Sequence, residues 1–339
     1  MLAPYVGADV ARSLYQLVTT LGLLAIAFVA SYRALRWSVI VPLVLAVPMA
    51  GLLVRTFIIM HDCAHGSFLP WRRAMDVIGF VTGVLTLTPF GQWRRDHALH
   101  HASSGDLERR GHGDVPMLTV REYLARSPRG RLAYRTIRHP ASLLLVGPFY
   151  LVATHRVRSR GAGTTSRQAV SVWLTNAAIA VLTMLAVWRL GWAAVLLVYL
   201  PAWYLAVIAG VWLFYVQHQF EGTRWDAHED WDYATAALHG SSHLRLHPVL
   251  QWFTGNIGLH HVHHLAPRIP NYRLQRCHDA TPMLHAAPVV TLRTGVAALR
   301  LVLWDETQRR MVRFADIDGN TPEPMALAAG RGVAPEPEA

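Results

Sequence analysis

No lysine occurs among the 339 residues, and all 32 basic side chains are arginine. That bias indicates a GC-rich, bacterial genome and carries no structural content. Cysteine is nearly as scarce: Cys63 and Cys277 make no disulfide framework. Charge is thin overall, at 16% of residues, and whole stretches have none. Residues 13–32, 37–54, 169–188 and 190–217 contain no Asp, Glu or Arg. As helices, each is long enough to cross about 30 Å of hydrocarbon. Four such runs, with 53% hydrophobic residues and a mean hydropathy of +0.24, exclude a single soluble domain and indicate an integral membrane protein. The opening MLAPYVGADVARS lacks a basic n-region and a small-residue cleavage site, so the first run is expected to be a retained span.

The net charge of +11 does not indicate nucleic acid, because no aromatic-interleaved basic motif accompanies it. Arginine instead crowds particular connections, as in cytoplasmic loops of membrane proteins. Residues 58–170 hold sixteen Arg against seven acidic residues, whereas residues 33–36 and position 189 together hold three. The expected fold is all-α, with four transmembrane helices in two hairpins near 13–32, 37–60, 169–188 and 190–217. A cytoplasmic helical cap would be built from 61–168 and 218–315. Together these would form one domain over 1–315. The segment 77–93 is at the lower limit for a span and carries Gly79, Gly83 and Pro89, so it is expected to be re-entrant or interfacial. Residues 141–154 are expected to lie at the interface. An amphipathic or partly buried helix is expected over 289–304, and disorder from 316 to 339.

Against this sparse charge stands an abundance of histidine. In GNIGLHHVHH, His260, His263 and His264 are spaced i, i+3, i+4, which puts three imidazoles on one helical face. His97, His100 and His101 repeat the spacing, and His61 and His65 share an i, i+4 pair. Eight clustered histidines are too many for one four-coordinate zinc but suit a cage for two metals, and imidazole suits iron among others. Oxygen chemistry at a di-iron centre is the reading that follows. Four crossings would put all three clusters on the same side of the bilayer.

Asp62, Asp96 and Asp106, with Glu221 or Asp226, are candidate acceptors that fix imidazole tautomers. His261 points about 100° away from its neighbours and is a candidate supporting or packing residue. His239, His243 and His247 form a weaker rival cluster, and spacing alone cannot recruit His218. The HDCAH pair superficially resembles a zinc-protease helix. However, Asp62 stands where such a helix needs Glu, and the other clusters would go unexplained. A metal transporter would need ionisable residues inside the spans, which have almost none.

With HDCAH, HALHH and HHVHH in this order, the chain resembles the membrane fatty acid desaturase superfamily, and bacterial acyl-lipid desaturases most closely. RRDHALHHASSGDLERRGHGDV, FYVQHQFEG, EDWDYATAALHGSSH and LQWFTGNIGLHHVHHLAPRIPNY carry the resemblance, from about Val54 to Leu299. It implies two iron ions, with O2 as co-substrate, held by His61, His65, His97, His100, His101, His260, His263 and His264. The ninth ligand would be His218, which matches the lone histidine of VQHQF. Animal acyl-CoA desaturases, similar in architecture, place an Asn one turn before that histidine. Here the position is Phe214, and Asn256, one turn before His260, is the candidate substitute.

The resemblance further implies a cis double bond introduced into an acyl chain of a membrane lipid. Electrons would come from a separate donor such as ferredoxin, because no fused haem or Rieske signature occurs. The site would face the cytoplasm from a bacterial inner membrane. The same centre could instead insert oxygen, as in acyl, alkane or carotenoid hydroxylases and ketolases. Arg94, Arg95, Arg109 and Arg110 are candidates for meeting a lipid head group or an acidic electron donor. Their plainer role is positive-inside topology.

Overall fold

The computed structural model describes residues 1–111, 115–157 and 165–318. Four of its helices are long and apolar enough to cross a membrane: Val10–Ala34, Ile40–His65, Ser166–Leu190 and Ala194–His218. They coincide with the four uncharged runs. The first (α1, Val10–Ala34) starts where Asp9 accepts the Arg12 amide as N-cap. The second (α2, Ile40–His65) does not stop at the end of the apolar run. It continues through His61 and His65 until Gly66, at φ 70°, ends it in the left-handed region. The chemistry-bearing box is therefore the last turn of a span.

Between the hairpins, α3 (Arg72–Leu85) and α4 (Phe90–Ser103) form a pair bent by 99°. The expected re-entrant or interfacial helix at 77–93 is thus split across this corner. Leu87 adopts a positive φ of 57°, and Pro89 stands as N-cap of α4. Gly83 makes the turn possible: the Thr88 amide donates to its carbonyl at 2.7 Å, and a Cβ on Gly83 would stand 2.6 Å from the Thr88 oxygen. The corner sends α4 back to α2, so that HALHH faces HDCAH. The apolar segment at 141–154 is helical, π-helical over Ser142–Val146 and α-helical over Gly147–Val157.

The third span (α5, Ser166–Leu190) is largely exposed along its length, as a lipid-facing helix would be. The fourth begins with a π-helical stretch, Ala194–Tyr199, and continues as α6 (Leu200–His218) to a histidine at its last residue. Ala46, Met49 and Leu53 of α2 pack against Val198, Ala202 and Val216. The small residues at this seam let the two backbones approach closely.

Beyond α6 come the short helices α7 (Pro248–Phe253), α8 (His260–Leu265) and α9 (Asn271–Asp279). The chain is mostly helical, but not purely so. Five short strands occur among the described residues: β1 (Leu118–Thr119), β2 (His243–Leu244), β3 (Val289–Val290), β4 (Leu303–Asp305) and β5 (Arg310–Val312). β4 pairs with β1 in parallel and with β5 antiparallel, while β2 and β3 form a separate parallel pair. The helix expected over 289–304 is accordingly cut down to Leu292–Ala298, because its two ends are recruited as strands. The tail expected from 316 begins inside a helix, Phe314–Asp318, and its remainder lies outside the described residues.

A Gly83→Ala substitution should displace the corner that aims α4, at a cost of about 1–3 kcal/mol. Thermal unfolding of the detergent-solubilised protein checks this, with loss of bound metal as the companion readout.

Candidate metal centre

Each histidine box ends up where a helix terminus meets the cap. His61 and His65 stand on the last turn of α2, His97, His100 and His101 on the second half of α4, and His218 at the end of α6. His260, His263 and His264 occupy α8, which is only six residues long and entirely buried but for Leu265. Helical spacing projects each set from one face, and the packing of α2, α4, α6 and α8 makes the faces converge.

They converge as two groups: His61, His65, His97, His101 and His263 in one, and His100, His218, His260 and His264 in the other. Within each group the nearest ring nitrogens all lie within 4.8 Å of one another. Both α4 and α8 contribute to both groups, because the i and i+1 side chains diverge by about 100°. Contacts within the first group include His61 Nε2 to His263 Nε2 at 3.0 Å and His263 Nε2 to His101 Nε2 at 3.0 Å. In the second, His218 Nε2 lies 3.0 Å from the Nε2 of both His100 and His260.

This donor set fits metal ions. An imidazole Nε2 facing two others can share only one hydrogen, so the array leaves lone pairs aimed at lone pairs. Moreover, the buried Nε2 atoms of His65 and His264 have no hydrogen-bond partner. Burying such atoms unsatisfied is costly, and a cation among them removes that cost. Burial, followed by the fields of neighbouring histidines, holds His260, His263 and His264 well below the usual imidazole pKa. They are therefore neutral, the form that binds metal.

Known proteins similar to this chain bear on what the site does. The family model described as fatty acid desaturase matches residues 35–291. A "Fatty acid desaturase" of Bacillus subtilis (strain 168) is 44% identical over 318 residues, which is 93% of this chain and 90% of that protein. The chain belongs to the fatty acid desaturase family. It is thus an oxidoreductase of the membrane. More distant relatives include the "sn-1 acyl-lipid omega-3 desaturase (ferredoxin)" of Synechocystis sp., 24% identical over 66% of this chain and 62% of the relative. The chloroplastic "Omega-6 fatty acid desaturase" of Arabidopsis thaliana is 27% identical over 66% of this chain and 49% of the relative.

Around the desaturase's histidines, the candidate supporting residues divide. Asp62 sits against the first group: Oδ1 lies 3.3 Å from His61 Nδ1, and Oδ2 accepts both the backbone and side-chain N–H of Asn271 at 2.8 Å. Asn271 is braced in turn by Gln16 of α1, through a reciprocal amide pair at 3.1 Å. Neither residue carries a signal in the sequence, because the chain of contacts joins α1, α2 and α9. Trp93 stacks on His97 with ring centroids 4.3 Å apart, and Tyr233 donates to the His264 carbonyl at 2.5 Å.

The other candidates serve different ends. Asp96 accepts from Gln92 one turn earlier on α4. Asp106 is buried, but its oxygens are engaged by Arg109, two backbone amides and His228. Asp226 pairs with Arg224 and Arg309, and Glu221 is exposed. Asn256 precedes α8 in a turn at φ 58°, so it is not one helical turn before His260. Its side chain donates instead to the Asn271 carbonyl. One turn before His218, the Phe214 ring packs with its centroid 5.1 Å from that of His100.

His261 turns away from the nine and places Nε2 3.1 Å from His278 Nδ1. The rival trio does not assemble. His243 joins His261 and His278 instead, while His247 caps α7 and His239 ends a separate helix. The spacing argument failed there because β2 is extended. Arg94, Arg109 and Arg110 are each neutralised, by Asp76, Asp106 and Glu122, and Arg95 donates to Gln168.

Two outcomes follow. Asn271→Ala removes the brace on Asp62 and should lower metal affinity about 10–100-fold, measured by metal retention against a chelator. Burial and His278 press His243 down to about 4. The unfolded chain protonates near 6.5, so the stability this site contributes is complete above that pH and drains as pH falls through 4. Unfolding temperatures between pH 7.5 and 4.5 should therefore decline less steeply in His243→Gln.

Proposed function

We propose that this desaturase uses O2 and two iron ions to introduce a cis double bond into the acyl chain of a membrane lipid. The observation that carries this is the partition of nine buried or half-buried histidines into a group of five and a group of four near the ends of helices. His61, His65, His97, His101 and His263 would hold one ion, and His100, His218, His260 and His264 the other. An all-nitrogen set of four or five leaves positions open for oxygen on an ion that takes six ligands.

An unactivated methylene has no acidic proton, so removing its hydrogens calls for a strong oxidant rather than a general base. When bound and reduced, the iron pair together with O2 supplies that oxidant. The chain's own residues do the rest. Asp62, Asn271 and Gln16 orient His61, the stacked Trp93 fixes His97, and the buried cage keeps bulk water from the reacting carbons. Two hydrogens leave adjacent carbons of the substrate, electrons from a separate donor complete the reduction of O2, and water is the by-product.

A ferredoxin-type donor is supported by the name of the Synechocystis relative. The crowding of arginine in 58–170 supports placing the cage on the cytoplasmic side of a bacterial inner membrane. The family match favours desaturation over oxygen insertion by the same kind of centre.

The test is the fatty-acid profile of a bacterial host expressing the protein with a reductase and ferredoxin. Mass spectrometry should locate a new double bond that disappears in His100→Ala. The purified wild type should carry about two irons per chain, as the donor count implies. A hydroxylated or keto product would overturn the reaction, and an iron-free protein the centre.

A further inference from the structure

Helix α7 lies against the C-terminal half of α2. Phe253 packs on Gly51, ten residues before His61, and Arg55 sits 4.2 Å over the Trp252 ring while donating to the Trp252 carbonyl. The outward residues Val249, Leu250 and Trp252 are 57%, 41% and 39% exposed, an apolar face suited to acyl chains beside a span. The other side of α7 forms one wall of a groove of about 160 Å³, open at its mouth, whose lining includes His243, Arg245, Gln251, Asn256, Leu259 and Gln275.

The groove is mixed in character, with Leu244, Leu246 and Leu259 beside His243, Arg245, Gln251, Asn256 and Gln275. Arg245 is exposed and extends from the end of β2, its amide held by the Val290 carbonyl at 2.8 Å. Its guanidinium has no carboxylate or other hydrogen-bond partner among the described residues, unlike those of Arg94, Arg109 and Arg110. Gln251 and Gln275 are joined side chain to side chain, and Asp279 accepts from Gln275. Leu259 in the groove wall is followed directly by His260. The wall is pinned close to β2: Leu244 N donates to Gly258 O at 2.7 Å, and a Cβ on Gly258 would stand 2.5 Å from the Leu244 oxygen.

We propose that this groove binds the phosphate-bearing head of a glycerophospholipid, with Arg245 as its phosphate ligand. Guanidinium presents a fork of donors that matches phosphate oxygens, and the two amides offer further donors to the glycerol ester oxygens. A head held here stands beside the segment that carries His260, His263 and His264, while its acyl chains lie along the apolar face of α7. This rests on the acyl-lipid reading above and adds the anchor from which a desaturase of this kind would count carbons along the chain.

Equilibrium binding to the full-length, detergent-solubilised protein tests the groove without turnover, so that a failure here is separate from a failure of the desaturation reading. The probes are dihexanoyl-phosphatidylglycerol, dihexanoylglycerol as its phosphate-free counterpart, and inorganic phosphate. Arg245→Gln should weaken phosphatidylglycerol binding about tenfold, the loss of one charge-assisted contact, and leave dihexanoylglycerol unchanged. Gln275→Glu, which adds a carboxylate to the groove, should weaken it similarly. Unaltered phosphatidylglycerol binding in both variants overturns the proposal. Inorganic phosphate binding as tightly as the lipid also overturns it, since the groove would then be a phosphate site and not a lipid site.

Discussion

Nine imidazoles gathered largely out of solvent, with ring nitrogens as close as 3.0 Å, set the terms for the rest of the fold. Such an array cannot satisfy itself by hydrogen bonding, and it cannot be protonated without placing like charges in contact. It is tolerable only around cations, and only if the backbone segments that carry it are held rigidly. Four elements do this, and each is anchored away from the site. α2 and α6 are braced by the apolar seam between them, α4 by the corner at Gly83, and α8 by its burial under the cap.

The polar support is one-sided in an instructive way. Gln16, Asn271 and Asp62 tie the first span, the second span and the cap into one hydrogen-bonded line that ends on His61. An aspartate buried there gains two N–H donors from Asn271, which meets the cost of removing a carboxylate from water. Aspartates that looked equivalent in the sequence are used to build the cap instead. Asp106 and Asp226 bridge in register with each other and absorb arginines and a surface histidine. Part of the positive charge is thus paired within the cap.

Membrane and cap are also less separable than hydropathy implies. Leu244 and Val290, from the β2–β3 pair, belong to the same apolar cluster as Met49 and Val198 of the spans. Helix α7 lies alongside α2 rather than above it, and Arg55 donates to its Trp252 carbonyl, as a cation near a helix C-terminus does.

The sequence by itself determined the four crossings, since an uncharged run long enough to span hydrocarbon has few alternatives. It also determined which histidines share a face, because helical periodicity is local. It identified the family through three boxes in order, and family membership brought in His218, which no spacing could reach. Tertiary structure alone decided how those faces partition into five and four, since that depends on the angles between α2, α4, α6 and α8. It alone distinguished Asp62 from Asp96 and Asp106, turned His261 toward His278, and brought Gln16 and Asn271 to the site from 255 positions apart. Strand pairing at β2, β3 and β4 likewise overrode a helical-looking stretch. These outcomes rest on contacts between segments remote in the chain, and a one-dimensional pattern carries no record of them.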